Sequence, residues 1–228
     1  MIFKLDKDPY DDDRVLFKKT TLELEEGKTY CLVGCNGSGK STVMNYIKRH
    51  LQKKEKAFEI CGKFGDFQFL LNEGKFSDYM FYVFNKNTEN VDDEYGHILL
   101  HAAVATSSTG EGILQRLGND LVTLRQRILH PNSKNKHFWI LFDDCDAGTS
   151  LDVMCEIKEV ISLIRQDCDD NHITLTIILS ANAYEIARDY ECIDVYDFSK
   201  KEFKDYEDYK KFVLRSKKRK DKSYENGN

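Results

Sequence analysis

The chain has 228 residues and a mass of 26.6 kDa, a size that suits one domain or one domain with a small subdomain. Charged residues make up 32% of it, and the net charge of −5 argues against a uniformly basic nucleic-acid-binding protein. No apolar run approaches the roughly 20 residues of a membrane span, and the N-terminus lacks a signal-peptide pattern, so we expect a cytoplasmic protein without a membrane partner.

The first part of the chain predicts β-structure. Residues 2–5, 15–17 and 20–24 are short strand candidates, and a turn at residues 25–27 leads into an apolar strand at 29–33.

The segment after that strand, residues 34–42, fits the pattern G-x-x-x-x-G-K-[ST] of a phosphate-binding loop. Its glycines allow a tight turn that points successive N–H groups at phosphate oxygens, and the following helix adds partial positive charge. Lys40 is expected to reach the β- and γ-phosphates, and the Ser41 hydroxyl to ligate Mg²⁺. The predicted nucleotide-binding residues of the loop are Asn36, Gly37, Ser38, Gly39, Lys40, Ser41 and Thr42.

Strand and helix patterns alternate through the rest of the chain. This alternation predicts a mostly parallel sheet with right-handed crossovers and flanking helices. The predicted helices cover about 41–54, 114–128, 154–164 and 206–213, and the predicted strands cover 79–84, 138–142, 173–179 and 192–196.

An acidic run, residues 143–146, follows the buried strand at 138–142, as in a Walker B motif. Asp143 is expected to support the Mg²⁺ that Ser41 holds, and Asp144 to orient an attacking water molecule. A buried strand that simply runs into an acidic surface loop is the alternative.

Three further segments resemble motifs of ABC-type ATPases in family order. Residues 107–111 look like the signature motif, residues 146–152 resemble the D-loop, and Asn182 follows a strand where the family places its switch histidine. The resemblance spans roughly residues 15–195. It is strongest to the compact soluble members of bacteriophage and bacterial genomes, relatives of the SMC-like DNA-repair ATPases. It implies that Ser108, Gly110 and Glu111 contact the nucleotide of a second subunit, and that Ser150 and Asp152 belong to the D-loop.

The resemblance also implies the fold and the domain limits. We expect an α/β P-loop NTPase with a mostly parallel sheet flanked by helices, an N-terminal antiparallel β-subdomain and a reduced helical insert at about 62–128. A single ATPase domain would cover residues 1–214. Residues 215–228 would form a basic, disordered tail that could contact nucleic acid or an effector protein.

The chain departs from the family pattern at positions that bear on mechanism. Asp144 stands where glutamate is usual, and Asn182 stands where histidine is usual. Both changes predict tight ATP binding with slow hydrolysis, because the shorter carboxylate is displaced from the water and an amide cannot become cationic. We prefer Asn85 to Gln68 for the family's metal-binding glutamine position. Tyr10 is either a ring that stacks on adenine or an ordinary core or surface aromatic residue.

Three functions fit these features. The first is an ATPase that uses ATP and Mg²⁺, dimerises around the nucleotide and acts as a switch for a partner. The second is a P-loop kinase for a small acceptor, which leaves the signature and D-loop resemblances unexplained. The third is a nucleotide-sensing regulatory module with little hydrolysis, which Asp144 and Asn182 favour.

Overall fold

The computed structural model describes residues 1–5, 17–53, 57–61, 79–85, 137–146 and 149–225. The described elements are, in chain order, β1 (Ile2–Lys4), β2 (Thr21–Glu23), β3 (Thr29–Val33), α1 (Lys40–Lys53), β4 (Ala57–Cys61), β5 (Tyr79–Asn85), β6 (His137–Asp143), α2 (Leu151–Asp170), β7 (Thr174–Ser180), α3 (Tyr184–Ala187), β8 (Glu191–Asp194), β9 (Lys200–Lys201) and α4 (Tyr206–Glu225).

Seven of these strands form one sheet in the order β4-β5-β6-β7-β3-β8-β9. All neighbours pair in parallel except β8 and β9, which are antiparallel. Strands β1 and β2 form a separate antiparallel pair, in which Phe3 lies opposite Leu22. The predicted α/β architecture with a mostly parallel sheet is therefore confirmed. The fuller N-terminal β-subdomain and the reduced helical insert stay predictions.

Helices cover both faces of the sheet, which explains why its central strands are apolar on consecutive residues. Phe138, Ile140 and Phe142 of β6 pack on one face with the apolar side of α2. Trp139 and Leu141 pack on the other face with α1 and the β1–β2 pair. Each central strand therefore contributes to two cores, and the residues that end these strands lie between two packed layers.

The parallel order brings the carboxyl ends of five strands, β3 and β5 to β8, to one edge of the sheet. Strand β3 is flanked by β7 and β8, and β7 is followed by β6. Leu32 of β3 lies opposite Ser180, Val33 opposite Asp194, and Asn85 of β5 opposite Asp143. In open parallel sheets this edge is where ligands bind. The sheet thus gathers the loop after β3 and the polar ends of its neighbours in one place.

The structure corrects the prediction for the C-terminal segment. Residues 215–225, expected in a disordered tail, form the second half of α4. The inward-facing series of the helix continues past residue 213, because Ser216 is buried on the same side as Tyr209 and Phe212. Strands β4 and β9 were not predicted. The predicted helix at 114–128 lies outside the described residues. None of the described helices has the length and apolarity that a bilayer crossing requires.

Candidate functional site

The loop between β3 and α1 depends on two glycines for two different reasons. A Cβ atom on Gly34 would lie 2.5 Å from the Ser38 Oγ atom and 3.0 Å from a methyl group of Val195, so a larger residue would have to displace these side chains. Gly37 has φ 73°, a left-handed backbone conformation that residues other than glycine rarely adopt. A backbone hydrogen bond of 3.1 Å from Ser38 N to Cys35 O closes the turn. Helix α1 then begins at Lys40, one residue before the predicted start.

The Lys40 ammonium is buried and has three acceptors within hydrogen-bonding distance. Its Nζ atom lies 3.0 Å from Gly34 O, 3.2 Å from Cys35 O and 2.8 Å from the Asn182 Oδ1 atom. An ammonium group has three protons to donate, so these acceptors saturate it. A phosphate that binds Lys40 must therefore displace or share at least one of them.

Burial lowers the pKa of Lys40, and nearby carboxylates oppose this lowering. Loss of water around the ammonium is the largest effect, and the opposing effect of Asp144 exceeds those of Asp146 and Asp143. The three aspartates therefore lie close enough to the loop lysine to act on its charge. A site with one buried cation and three carboxylates has the composition that Mg²⁺ and a polyphosphate require together.

Ser180, at the end of β7, connects the first two aspartates. Its hydroxyl donates a short hydrogen bond to the Asp143 Oδ1 atom and accepts one of 2.8 Å from Asp144 N. Ser180 is fully buried. Asp144 has φ 56°, in the left-handed region that aspartate tolerates better than glutamate. The structure thus gives a physical reason for aspartate at this position.

Asp146 holds the start of the segment that carries Asn182. Its Oδ2 atom accepts hydrogen bonds from Asn182 N at 2.6 Å and from Ala183 N. Burial raises the pKa of Asp146, and these two backbone donors partly offset the increase. The path from the acidic turn through Asp146 and Asn182 to Lys40 is continuous. The acidic turn therefore holds the backbone of Asn182, whose side chain contacts Lys40.

The oxygen donors at this edge fit a magnesium ion. Ser41 is exposed on the first turn of α1, and β6 ends at Asp143 at the same edge of the sheet. The second buried oxygen of Asp146, Oδ1, has no hydrogen-bond partner. Within the described ranges no group of three or more His, Cys, Asp or Glu side chains forms a closed metal site. An ion held partly by nucleotide phosphates and water needs only one or two protein ligands, so these oxygens suffice.

The structure brings together part of the predicted site. Lys40, Asp143, Asp144 and Asn182 meet at the sheet edge, and the backbone of Asn85 lies in register with Asp143. Ser150 and Asp152 contact each other at the start of α2, where the Ser150 hydroxyl lowers the pKa of Asp152. Outside the described residues lie Tyr10, Ser108, Gly110 and Glu111.

Two sets of residues at the site were missed. Ser180 was given no role, and Asp146 was assigned only to the acidic run and the D-loop segment. A serine that ends an apolar strand is nevertheless a signal for a polar contact at the sheet edge. Helix α4 supplies the other set, since Ser216 and Lys220 contact the phosphate loop itself. Their only sequence signal is the continued helical spacing after Tyr209 and Phe212.

Comparison with known proteins points to nucleotide binding. A family model described as ABC transporter matches residues 17–127, a little under half of the chain. Over 55 residues the chain is 36% identical to ABC transporter B family member 17 of Arabidopsis thaliana, covering 24% of this chain and 4% of the relative. Over 53 residues it is 36% identical to the putative ABC transporter ATP-binding protein AlbC of Bacillus subtilis (strain 168), covering 23% of this chain and 22% of the relative. The chain thus spans a small part of these relatives. Together the matches support an ATP-binding, ABC-type P-loop domain.

Replacing Ser180 with alanine tests the polar end of β7. We expect Ser180→Ala to lose about 1–3 kcal/mol of stability, because a buried amide and a buried carboxylate each lose a partner. ATP turnover should fall about tenfold, since Asp143 and Asp144 are no longer held. Thr176→Val is the matched control, as it removes a hydroxyl that accepts a hydrogen bond from Gly27 N at the other end of the same strand. Urea unfolding and a phosphate-release assay measure both effects; equal turnover in the two variants would contradict the assignment.

Proposed function

We propose that the protein is a slowly hydrolysing ATPase of the ABC type that binds MgATP at the loop after β3 and dimerises around it as a switch for a partner. The observation that supports this function best is the meeting of Lys40, the acidic turn and Asn182 at one edge of the sheet. The order of the motifs along the chain and the family match over the phosphate loop support the same function.

Different residues of the site would contact the phosphates and the Mg²⁺ ion. The loop N–H groups and Lys40 bind the β- and γ-phosphates, and the start of α1 adds the partial charge of its N-terminus. The Ser41 hydroxyl and the Asp143 carboxylate hold Mg²⁺, with Asn85 as a further ligand. When bound, the ion neutralises charge that develops on the phosphates.

The geometry around Asp144 and Asn182 supports slow hydrolysis. The Asp144 carboxylate sits on a short side chain, and its backbone is held in a left-handed conformation by Ser180. The side-chain oxygen of Asn182 accepts a hydrogen bond from Lys40, so only the side-chain nitrogen of Asn182 remains to contact a γ-phosphate. Neither group can supply the cationic contact or the longer reach of the residues usual in the family.

The dimer part of the proposal rests on the segments that resemble the signature and the D-loop. Ser108, Gly110 and Glu111 of one copy would complete the nucleotide site of the other, and Ser150 and Asp152 would lie at the interface. Leu151 stands between these two residues and is 59% exposed, so an apolar side chain is accessible in this segment. This arrangement fits a compact member of the family, related to the SMC-like ATPases of bacteria and bacteriophages, without coiled-coil arms.

Replacing Lys40 tests nucleotide binding and dimerisation together. Wild-type protein should bind ATP by calorimetry, and light scattering should show its mass double in MgATP. Lys40→Ala should lose at least about a hundredfold in affinity and stay a monomer, because a buried charge on the phosphates is worth about 3 kcal/mol. Lys204→Ala, at an exposed position, is the control. Retained ATP affinity in Lys40→Ala would overturn the proposed site; ATP binding by an unchanged wild-type monomer would overturn only the dimer.

Lengthening the Asp144 side chain distinguishes a slow ATPase from a nucleotide-sensing module. If chemistry is limited by reach, Asp144→Glu should raise turnover about tenfold or more, with a small loss of stability from the left-handed backbone. Asp144→Asn should abolish turnover and keep ATP affinity. A sensing module predicts the same negligible turnover for wild type and both variants in a single-turnover phosphate-release assay.

The outer face of α4 suits an anionic partner. Arg215, Lys217, Lys218 and Lys222 are exposed there, although the chain as a whole is acidic. A cluster of positive charge on an otherwise acidic protein attracts polyanions to that face and not to the rest of the surface. The proposed partner is nucleic acid or an acidic effector protein.

Charge reversal on this face tests the partner. The double variant Lys217→Glu, Lys218→Glu should weaken binding of a labelled DNA duplex by more than tenfold. The slope of log affinity against log salt concentration should become shallower by about two. Lys204→Glu is the control at an exposed position that precedes the helix. Fluorescence anisotropy in a salt series makes the measurement, and an acidic peptide in parallel identifies a protein partner. Binding that is equal in all variants would refute the role of this face.

A further inference from the structure

The opposite face of α4 contacts the phosphate loop through two residues. The Ser216 hydroxyl accepts a hydrogen bond of 3.1 Å from Cys35 N, and Lys220 Nζ donates one of 3.1 Å to Asn36 O. Ser216 and Lys220 are four residues apart, so they lie on one face of the helix. Consecutive turns of α4 therefore hold consecutive residues of the loop.

Further contacts fix the helix along its length. Arg219 donates to the fully buried Asp194 Oδ2 atom at 2.9 Å, and its guanidinium lies 4.6 Å from the centre of the Tyr196 ring. Nearer the helix start, the Tyr209 hydroxyl donates to Asn182 O at 2.9 Å. The helix is thus anchored to the end of β8, beside β3, and to the segment that holds Asn182 against Lys40. It spans both sides of the site.

We propose that α4 is a positioning element for the phosphate loop, with Ser216 and Lys220 as positioning residues. The inference rests on the proposed function, since it concerns how the same loop holds the nucleotide. Docked α4 fixes the two residues that precede Gly37, and the loop N–H groups that bind phosphate come directly after them.

The exposure of the loop explains why it needs such support. Asn36 and Gly37 are exposed at the tip, and Gly37 has the conformational freedom of a glycine. The Lys220 Nζ atom lies 3.7 Å from the position of a Cβ atom on Gly37, so the lysine lies against one side of this tip. A loop that is ordered before the nucleotide arrives loses less conformational entropy on binding, and this raises affinity for the phosphates.

The effect should be confined to the polyphosphate. Lys220 and Ser216 hold the backbone of residues 35–36, and residues 34–40 surround the phosphates. Loss of either contact should therefore weaken ATP and inorganic tripolyphosphate by the same factor. A general loss of structure would lower the melting temperature and the active fraction instead.

The test uses the full chain with Mg²⁺ and displacement of a fluorescent ATP analogue by ATP or tripolyphosphate. Lys220→Ala and Ser216→Ala should each weaken both ligands about threefold to tenfold, the usual effect of one lost hydrogen bond. Lys220→Arg retains a donor and should recover most of the affinity. Lys211→Ala, at an exposed position nearer the start of the same helix, should bind both ligands within twofold of wild type.

The outcomes separate this inference from the proposed function. Wild-type affinity in Lys220→Ala and Ser216→Ala, in an assay where Lys40→Ala has lost binding, would overturn the positioning role and leave the ATPase proposal standing. Weaker ATP binding with unchanged tripolyphosphate binding would also overturn it. A wild-type chain that binds neither ligand would refute the proposed function itself.

Discussion

Burial of the Lys40 ammonium is the constraint on which the site depends. A buried cation is costly unless acceptors surround it, and the loop carbonyls of Gly34 and Cys35 together with Asn182 supply them. The loop can offer two acceptors only because its glycines allow the chain to turn back around the lysine. The third must come from another strand. The sheet order places β7 next to β3 and so brings Asn182 to Lys40. The buried charge of Lys40 therefore depends on the sheet order, as the hydrophobic core does.

The same order determines how the acidic turn is held. Asp143, Asp144 and Asp146 would repel one another if each had only water as its partner. Ser180 instead binds both the carboxylate of the first and the backbone of the second, and Asp146 accepts from the backbone after β7. Hydrogen bonds thus orient the carboxylates of Asp143 and Asp146 and hold the backbone of Asp144 in place, which lowers the reorganisation that metal binding would require.

Local features of the sequence predicted more of this site than non-local ones. The phosphate loop and the acidic turn are contiguous, so their residues could be recognised from spacing alone, and the apolar strands β3, β6 and β7 were found with ends within one or two residues. Ser180 could not be assigned, because its partners lie 36 and 37 residues away on a neighbouring strand. Helix α4 was predicted to end at residue 213, because the basic residues after it suggested solvent. Lys220 and Arg219 instead contact the protein.

The two faces of α4 carry the last step of the argument. The inner face contacts the loop and the backbone of Asn182, and the outer face presents exposed cations. An anion that bound the outer face would act on the same helix that we propose as the positioning element of the loop. If it favoured the docked helix, it would tighten ATP, and ATP would tighten the anion by the same factor, because coupling between two binding sites is reciprocal. With both proposed roles, a helix shared by two sites would link the partner to the nucleotide without a second moving part.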